Sequence, residues 1–277
     1  MFEMKIINLI FITMTLALFS CHSPKKLFNA EAEAFKLEAT QAVETISAQD
    51  IAHLPAPVVR YFKHCGYLGA VKPAYAEVFF EKSRIKLQPD RKWMKLKTHQ
   101  FNFVTEPARL AYMKAVMMGV VPFEGRDKYS NGHGHMFGVI GGLIKVFDAK
   151  EPEIAQGAAI VLLAEALLIP AYALQDYIIW EPVDEHTANA RFVHKGVDVG
   201  GTFHFNERGE YINFTSNDRP FMYPDGTYTK QPYTIEIRSY QQQGEQLIAK
   251  DVAAIWNLPQ GDYEYWTGTI SKISWKP

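Results

Sequence analysis

The chain has 277 residues, with 29 Lys and Arg against 30 Asp and Glu and a formal net charge of −1. Nucleic-acid binding and adsorption to anionic membranes both depend on clustered basic residues, so this balance argues against a nucleic-acid partner and predicts no polybasic membrane patch. Aromatic residues make up 13% of the chain, which suits either a thick core or an apolar cavity.

The first 20 residues have the pattern of a secretion signal. Lys5 precedes an apolar run from Ile6 to Phe19, and a small residue, Ser20, stands directly before Cys21. The run is too short to span a hydrocarbon core of ~30 Å as a helix, but it has the length of a signal-peptide core. We therefore expect residues 1–20 to be removed on export.

The four letters Leu18-Phe19-Ser20-Cys21 resemble the lipobox of bacterial lipoproteins. The resemblance implies that Cys21 carries acyl chains such as palmitate and anchors the protein in the cell envelope, in a Gram-negative cell at the periplasmic face of the outer membrane. Residues 21–30 would then form a tether. The alternative is an ordinary signal peptide that happens to contain a cysteine.

Two helices are predicted after the tether. Residues 30–47 suit an amphipathic helix with Phe35, Leu37, Val43 and Ile46 as its apolar members. A second helix begins after Leu54, with Pro57 in its first turn and Gly66 at its C-terminal end. Cys65 falls on the apolar face of this second helix, which predicts a buried, unreactive thiol.

The remainder of the chain reads as about a dozen antiparallel strands joined by short turns, interrupted once by an apolar segment. An open sheet of that size has to curl or close. We therefore predict an α+β fold, mainly antiparallel β, in which residues 31–277 form a single domain built on a strongly curved sheet or half-barrel. The predicted strands are 78–87, 93–103, 109–118, 121–129, 135–140, 177–183, 188–194, 197–205, 211–216, 233–240, 247–256 and 265–275.

The apolar segment 154–174 contains few polar side chains, among them Glu165. A transmembrane helix is one interpretation, but a carboxylate near the middle of a span is costly and no Lys or Arg cluster marks either end. A pair of buried strands is another. We favour a core helix on the concave side of the sheet, in which Glu165 needs a partner, either Arg109 or Arg126.

Several patches in a fixed order resemble an uncharacterised bacterial family, a domain of unknown function, over about residues 54–275. They are Leu54–Tyr61, Trp93 with Gln100, Gly125–Gly132, Ala164-Glu165-Ala166 with Pro170, Trp180–Asp184 and Tyr265–Gly268. Relatives carry an Arg-Tyr pair shortly before the glutamate, where this chain has Val161-Leu162. The family implies no activity. The order of strands and helices is also similar to the lipoprotein-carrier and lipoprotein-receptor (LolA/LolB-like) half-barrels, whose curved sheet encloses an acyl-chain pocket.

Local motifs for chemistry are weak. His133 and His135 alternate on a predicted strand and could share a zinc ion, but histidines beside glycines after a turn are more often structural. Asp127 and Asp184 adjoin turns, where aspartate commonly caps backbone donors, and His204 is expected on the solvent face. We therefore assign no catalytic residue, metal ligand or cofactor.

These features favour a membrane-anchored lipoprotein that binds a lipid or another hydrophobic ligand in a half-barrel pocket. Two alternatives are an envelope enzyme with a Glu, Asp or His cleft site and a structural or partner-docking lipoprotein without a small ligand. The candidate ligand-binding residues combine aromatic and aliphatic side chains of the strands with residues of the apolar segment. They are Phe101, Phe103, Tyr112, Met117, Leu163, Glu165 and Leu167.

Overall fold

The computed structural model describes residues 23–39, 43–117, 119–223 and 225–277. The predicted signal and Cys21 lie outside the described residues. The helices are α1 Pro24–Glu38, α2 Ala48–Ile51, α3 Ala56–His64, α4 Pro152–Ala164 and a 3₁₀ helix Tyr172–Leu174; the strands are β1 Tyr75–Ile85, β2 Met94–Phe103, β3 Ala108–Met117, β4 Val121–Ser130, β5 His133–Ile140, β6 Ile144–Ala149, β7 Ile178–Pro182, β8 Thr187–His194, β9 Val197–Phe205, β10 Tyr211–Met222, β11 Tyr228–Gln243, β12 Gln246–Leu258 and β13 Gly261–Lys276.

The thirteen strands of the described chain form one sheet in the order β6-β5-β4-β3-β2-β1-β13-β12-β11-β10-β9-β8-β7. Every neighbouring pair is antiparallel, including the central pair of β1 and β13. The predicted fold class, a mainly antiparallel curved sheet with few helices, is confirmed.

The sheet curls until strands from its two halves meet. The Tyr129 hydroxyl on β4 lies 3.1 Å from Nδ1 of His194 on β8, although eight strands lie between β4 and β8 in the order of the sheet. The Tyr129 ring also packs edge-on against Phe192 of β8, with 5.5 Å between the ring centres. These contacts require strong curvature, which leaves a concave face to be filled.

Helix α4 fills that concave face. It packs against β4 and β5 in one half of the sheet and against β8, β9 and β10 in the other. Because strands surround it, residues on every side of the helix are buried, among them Ile154, Ala159 and Leu163. The predicted core position of the apolar segment is confirmed, but its predicted length is wrong. The helix ends at Ala164, and Pro170, which lacks an N–H donor, cannot continue it to residue 174. Among the described residues no helix is both long and apolar enough to cross a bilayer.

Helix α1 covers part of the opposite, convex face. Phe28 and Ala32 of α1 are buried there against the strands β2 and β3. The prediction of a helix over residues 30–47 was wrong, because Pro24 at the first turn favours an earlier start, and Leu37 and Val43 are exposed. Residues 24–30 of the predicted tether form the first turns of α1 instead.

Helix α3 agrees closely with its prediction. It begins just before Pro57 and is followed by Gly66, which has a φ of 72° as a left-handed helix end requires. Cys65 is fully buried, and burial raises the pKa of its thiol to about 12. The predicted burial of Cys65 is confirmed, and the raised pKa disfavours the reactive thiolate form.

Gly134 on β5 allows the closest approach between the sheet and α4. A Cβ atom at this position would lie 2.4 Å from the backbone nitrogen of Ala155. Backbone atoms cannot give way as a flexible side chain can. The glycine between His133 and His135 therefore has a packing role, which accounts for this part of the motif without a metal.

We expect Gly134→Ala to destabilise the protein by about 2 kcal/mol, because overpacking must displace α4 or bend β5. Urea unfolding measures the free energy of unfolding. The matched control is Gly200→Ala on β9, where a new Cβ would meet its nearest atom, in the Arg191 side chain, at an ordinary 3.5 Å. Equal stability of the two variants would contradict this packing.

Candidate functional site

A cavity of about 350 Å³ lies between α4 and the concave face of the sheet. This volume falls within the ~300–1,000 Å³ typical of small-molecule sites. Most of its lining is apolar and comes from α4 and from strands in both halves of the sheet. These side chains include Phe80, Ile85, Met113, Met136, Ile154, Ala158, Val161, Leu168, Ile235, Ile237, Val252, Ala254, Trp256, Trp266 and Ile270.

Glu165 closes one part of the cavity with a charged network. It follows the last residue of α4, and its carboxylate accepts hydrogen bonds from Gln100 Nε2 at 3.0 Å and Asn102 Nδ2 at 2.7 Å. Arg109 Nε lies 3.1 Å from both carboxylate oxygens. Of the two predicted partners, Arg109 is therefore the one that pairs with Glu165, while Arg126 pairs with Glu31 of α1.

All three nitrogens of the Arg109 guanidinium donate to neighbouring side chains. Besides Glu165, it donates from Nη1 to Asp127 at 3.2 Å and from Nη2 to the Gln100 side-chain oxygen at 2.8 Å. Burial acts to lower the pKa of Arg109, but the negative charges of Glu165 and Asp127 outweigh it and raise the pKa. The network is thus a satisfied, charged cluster that fixes the end of α4 to β2, β3 and β4.

Arg219 of β10 lines a second polar part of the wall. Its guanidinium carbon lies 4.1 Å from the ring centre of Tyr233 and 4.6 Å from that of Trp256. Its Nη1 donates to the Tyr265 hydroxyl at 2.9 Å. The Tyr233 and Tyr265 hydroxyl oxygens are 3.4 Å apart, so this arginine and two phenols form one group.

The tyrosine hydroxyls beside the cavity stay neutral. Burial raises the pKa of Tyr233 well above its usual value, although the positive charges of Arg219 and Arg109 act in the opposite direction. Burial also raises the pKa of Tyr211 and Tyr172, and the nearby charge of Glu165 adds to it in both. These phenols therefore act as hydrogen-bonding groups, and the charges facing the cavity come from arginines and carboxylates.

The candidate ligand-binding residues fall into three groups. Glu165 lines the cavity. Leu163 and Leu167 are fully buried in the main core beside it, and neither they nor Met117 line the cavity. Phe101, Phe103 and Tyr112 lie on the convex face, buried in a separate cluster with Phe28 of α1.

These three aromatic residues were expected to face the cavity, but they lie on the opposite face of their strands. The inward-facing positions are therefore one residue away from those predicted. On β2 the polar residues Gln100 and Asn102 point inward to Glu165, and Phe101 and Phe103 point outward. Apolar side chains normally face the core, but α1 shields the convex face and the carboxylate of Glu165 requires polar donors on the concave one.

Arg219 and Asn102 were not among the candidate site residues predicted from the sequence. The strand β10 was predicted to end at Ser216. In the structure it continues to Met222 after a register irregularity between Ser216 and Arg219. Such an irregularity interrupts the alternation on which strand prediction depends. For Asn102 a signal was present, since Thr98, Gln100 and Asn102 form a polar stripe that alternates with aromatic residues.

The remaining candidate residues serve local structure. Nε2 of His135 lies 2.8 Å from Asp148, and Asp184 accepts a hydrogen bond from the backbone of His186 at 2.8 Å as a turn cap. His204 is partly exposed, opposite the buried Phe203 and Phe205. In the described ranges no group of three or more His, Cys, Asp and Glu is arranged to hold a metal ion.

A second groove, of about 1160 Å³, lies on β1–β3 and β11–β13. It brings together six basic residues that the sequence separates: Lys82, Arg84, Lys95, Lys97, Lys114 and Arg238. Acidic neighbours offset part of this charge, since Lys82 pairs with Glu81 and Arg238 with Glu264. The expectation of no polybasic membrane patch was drawn from the overall charge balance and did not anticipate this local grouping.

The chain belongs to a family of unknown function, DUF6544, whose model matches residues 44–268. This agrees with the family resemblance found in the sequence. No match was found among curated proteins.

Two solved structures are similar in fold. A LolA superfamily protein from Nitrosomonas europaea matches at a TM-score of 0.43 and 8% identity, covering 84% of this chain and 95% of that one. A DUF1329 family protein from Desulfovibrio piger matches at a TM-score of 0.41 and 8% identity, covering 79% of this chain and 90% of that one.

We expect Glu165→Gln to destabilise the protein by about 3 kcal/mol, because it leaves the charge of Arg109 without its main partner. In addition, the N–H groups of the new amide would face the N–H donors of the surrounding side chains. The side chains of Arg109 and Glu165 are only 11% and 14% exposed. The control is Glu236→Gln, which breaks an ion pair with Arg238 in which both side chains are 42% exposed and should cost about 0.5 kcal/mol or less. Similar losses in urea unfolding would contradict a structural role for the Glu165 network.

Proposed function

We propose that this protein is a membrane-anchored lipoprotein that holds a hydrophobic ligand in the cavity between α4 and the sheet. The observation that carries the proposal is the cavity itself, which is largely apolar, closed on one side by α4 and provided with polar groups over a limited part of its wall. Such a combination suits a ligand whose bulk is desolvated while a small polar part is oriented by hydrogen bonds.

Gly157 supports the presence of a ligand space. It lies in the middle of α4, lines the cavity, and a Cβ atom built on it meets nothing within 4 Å. Glycine in a helix interior costs about 1 kcal/mol relative to alanine. If helix stability alone mattered at position 157, alanine would be the better residue. A glycine at this position keeps the cavity open.

The geometry of the carboxylates does not favour the enzyme alternative. Glu165 accepts hydrogen bonds from Gln100, Asn102 and Arg109, and Asp127 is bound to the same arginine. A general base needs a free lone pair within reach of the substrate proton, whereas the hydrogen-bonding capacity of Glu165 is already engaged by protein groups.

The anchor is proposed from the sequence alone. Acyl chains on Cys21 would hold the domain at a membrane of the cell envelope, with α1 beginning three residues later at Pro24. Stable anchoring requires at least two lipid signals, which a diacylglyceryl cysteine with an added palmitate provides. In a Gram-negative cell this places the cavity at the periplasmic face of the outer membrane.

Filling the cavity tests the binding proposal. We expect Gly157→Phe to lose co-purifying lipid in native mass spectrometry, because its ring occupies the open space beside α4. The matched control, Gly157→Ala, should retain the lipid and gain about 1 kcal/mol in stability. Thermal unfolding checks that the phenylalanine variant is folded. The proposal is wrong if wild type carries no lipid, or if a folded Gly157→Phe carries as much as wild type.

The two cysteines provide a matched test of the anchor. Cys21→Ser should abolish incorporation of labelled palmitate and release the protein from the membrane fraction, because the thioether can no longer form. Cys65→Ser should leave both unchanged, since this thiol is buried. Palmitate incorporation into Cys21→Ser at the wild-type level would contradict the assignment.

A further inference from the structure

Arg219 is a charged side chain in the cavity wall whose hydrogen-bonding capacity is almost unused. A guanidinium carries five N–H donors, and here Nη1 donates to Tyr265 while the buried Nε has no partner. Within the part of the chain that the structure describes, no carboxylate forms an ion pair with Arg219. Asp127 is held by Arg109 instead, at 3.2 Å.

Aromatic rings fix the orientation of this guanidinium. Its central carbon lies 4.1 Å, 4.6 Å and 5.5 Å from the ring centres of Tyr233, Trp256 and Tyr265. Contacts with ring faces stabilise a cation that has lost water. They do not use its N–H groups, which lie in the guanidinium plane and remain for hydrogen bonds to another molecule.

The strand geometry places the charge where a ligand can reach it. The register irregularity between Ser216 and Arg219 lies directly before this residue, and irregularities of this type redirect side chains. Arg219 shares the lining with apolar residues of neighbouring strands such as Ile235 and Ala254. The unpaired cation therefore stands beside the apolar part of the cavity.

Among the described residues no carboxylate is in direct contact with Arg219. Glu165 and Asp127 both contact Arg109, and the negative charge of Asp127 acts on Arg219 only from beyond ion-pair distance. A charge taken out of water is costly unless it is paired. An anionic group on the bound molecule would supply the missing partner.

We propose that Arg219, with the hydroxyls of Tyr233 and Tyr265, binds the carboxylate or phosphate head of an anionic amphiphile whose alkyl chain lies along α4. The inference rests on the proposed function, because it names the ligand class for the same cavity. A guanidinium matches both head groups, since each can accept two parallel N–H···O bonds.

Photo-crosslinking of the mature lipoprotein in phosphatidylcholine nanodiscs tests this assignment. The probes are diazirine-bearing palmitate, the corresponding hexadecyl phosphate and, as the neutral member of the series, the corresponding hexadecanol. Crosslinks are mapped by mass spectrometry to α4 and β10–β13. The variants are Arg219→Met, Arg219→Lys and, as a control, Arg191→Met, which removes an exposed arginine of β8 that is paired with Asp198 of β9.

We expect one or both anionic probes to label the wild-type cavity, and the better of the two identifies the head group as carboxylate or phosphate. Labelling should fall about tenfold in Arg219→Met and less in Arg219→Lys, because lysine keeps the charge without the paired donors. Hexadecanol labelling should change by less than about twofold, since the alkyl contacts persist, and this also shows that the variant is folded. Arg191→Met should match wild type.

Unchanged labelling of Arg219→Met by the anionic probes would overturn the inference while leaving hydrophobic binding intact. The same holds if hexadecanol labels the wild-type cavity and neither anionic probe does. If no probe labels the cavity of the wild-type protein, the proposed function fails, and the inference about Arg219 fails with it.

Discussion

The enclosure of α4 by the curved sheet is the constraint on which the rest of the structure depends. The helix is apolar on every side, so it is stable in water only when strands cover it all round. Strands from both halves of the sheet provide that cover, and the contact between Tyr129 and His194 shows how far the sheet must curl to do so. The cavity is the part of this enclosed space that α4 does not occupy.

The Glu165 network fixes the helix within the sheet. The carboxylate stands at the C-terminal end of α4, where the helix dipole is negative and a further negative charge is unfavourable. Arg109 compensates both charges, and Gln100 and Asn102 satisfy the remaining oxygen lone pairs. One residue of the apolar segment thus anchors the helix to β2 and β3 directly and to β4 through Arg109, and it provides one of the two polar parts of the cavity wall.

Much of the fold could be predicted because its signals are local. Alternating residues and turn glycines define strands, and the closure of so many antiparallel strands around an apolar helix follows from the need to bury it. The face on which each residue lies could not be predicted in the same way. Alternation alone predicts that Phe101 and Phe103 face the concave side, and only the packing of α1 against the convex face explains their outward position.

The candidate site was predicted in part for a similar reason. Glu165 stands out as a carboxylate in an apolar segment, so the need for a partner was evident, and Arg109 was one of two arginines considered. Arg219 lies beyond a break in strand alternation and outside the predicted strand 211–216, so alternation did not identify it as a residue of the cavity wall. The group around Arg219 depends on an irregular stretch of backbone and on strands that are distant in sequence. Such a group leaves no periodic signal in the sequence.

An experimental structure of the mature protein, purified from membranes without added lipid, tests whether α4 lies within the curved sheet beside an occupied ligand space. We expect elongated density between α4 and the strands β11 and β12, ending beside Arg219. Side chains that fill this space completely, or an α4 that lies outside the curved sheet, would contradict this expectation.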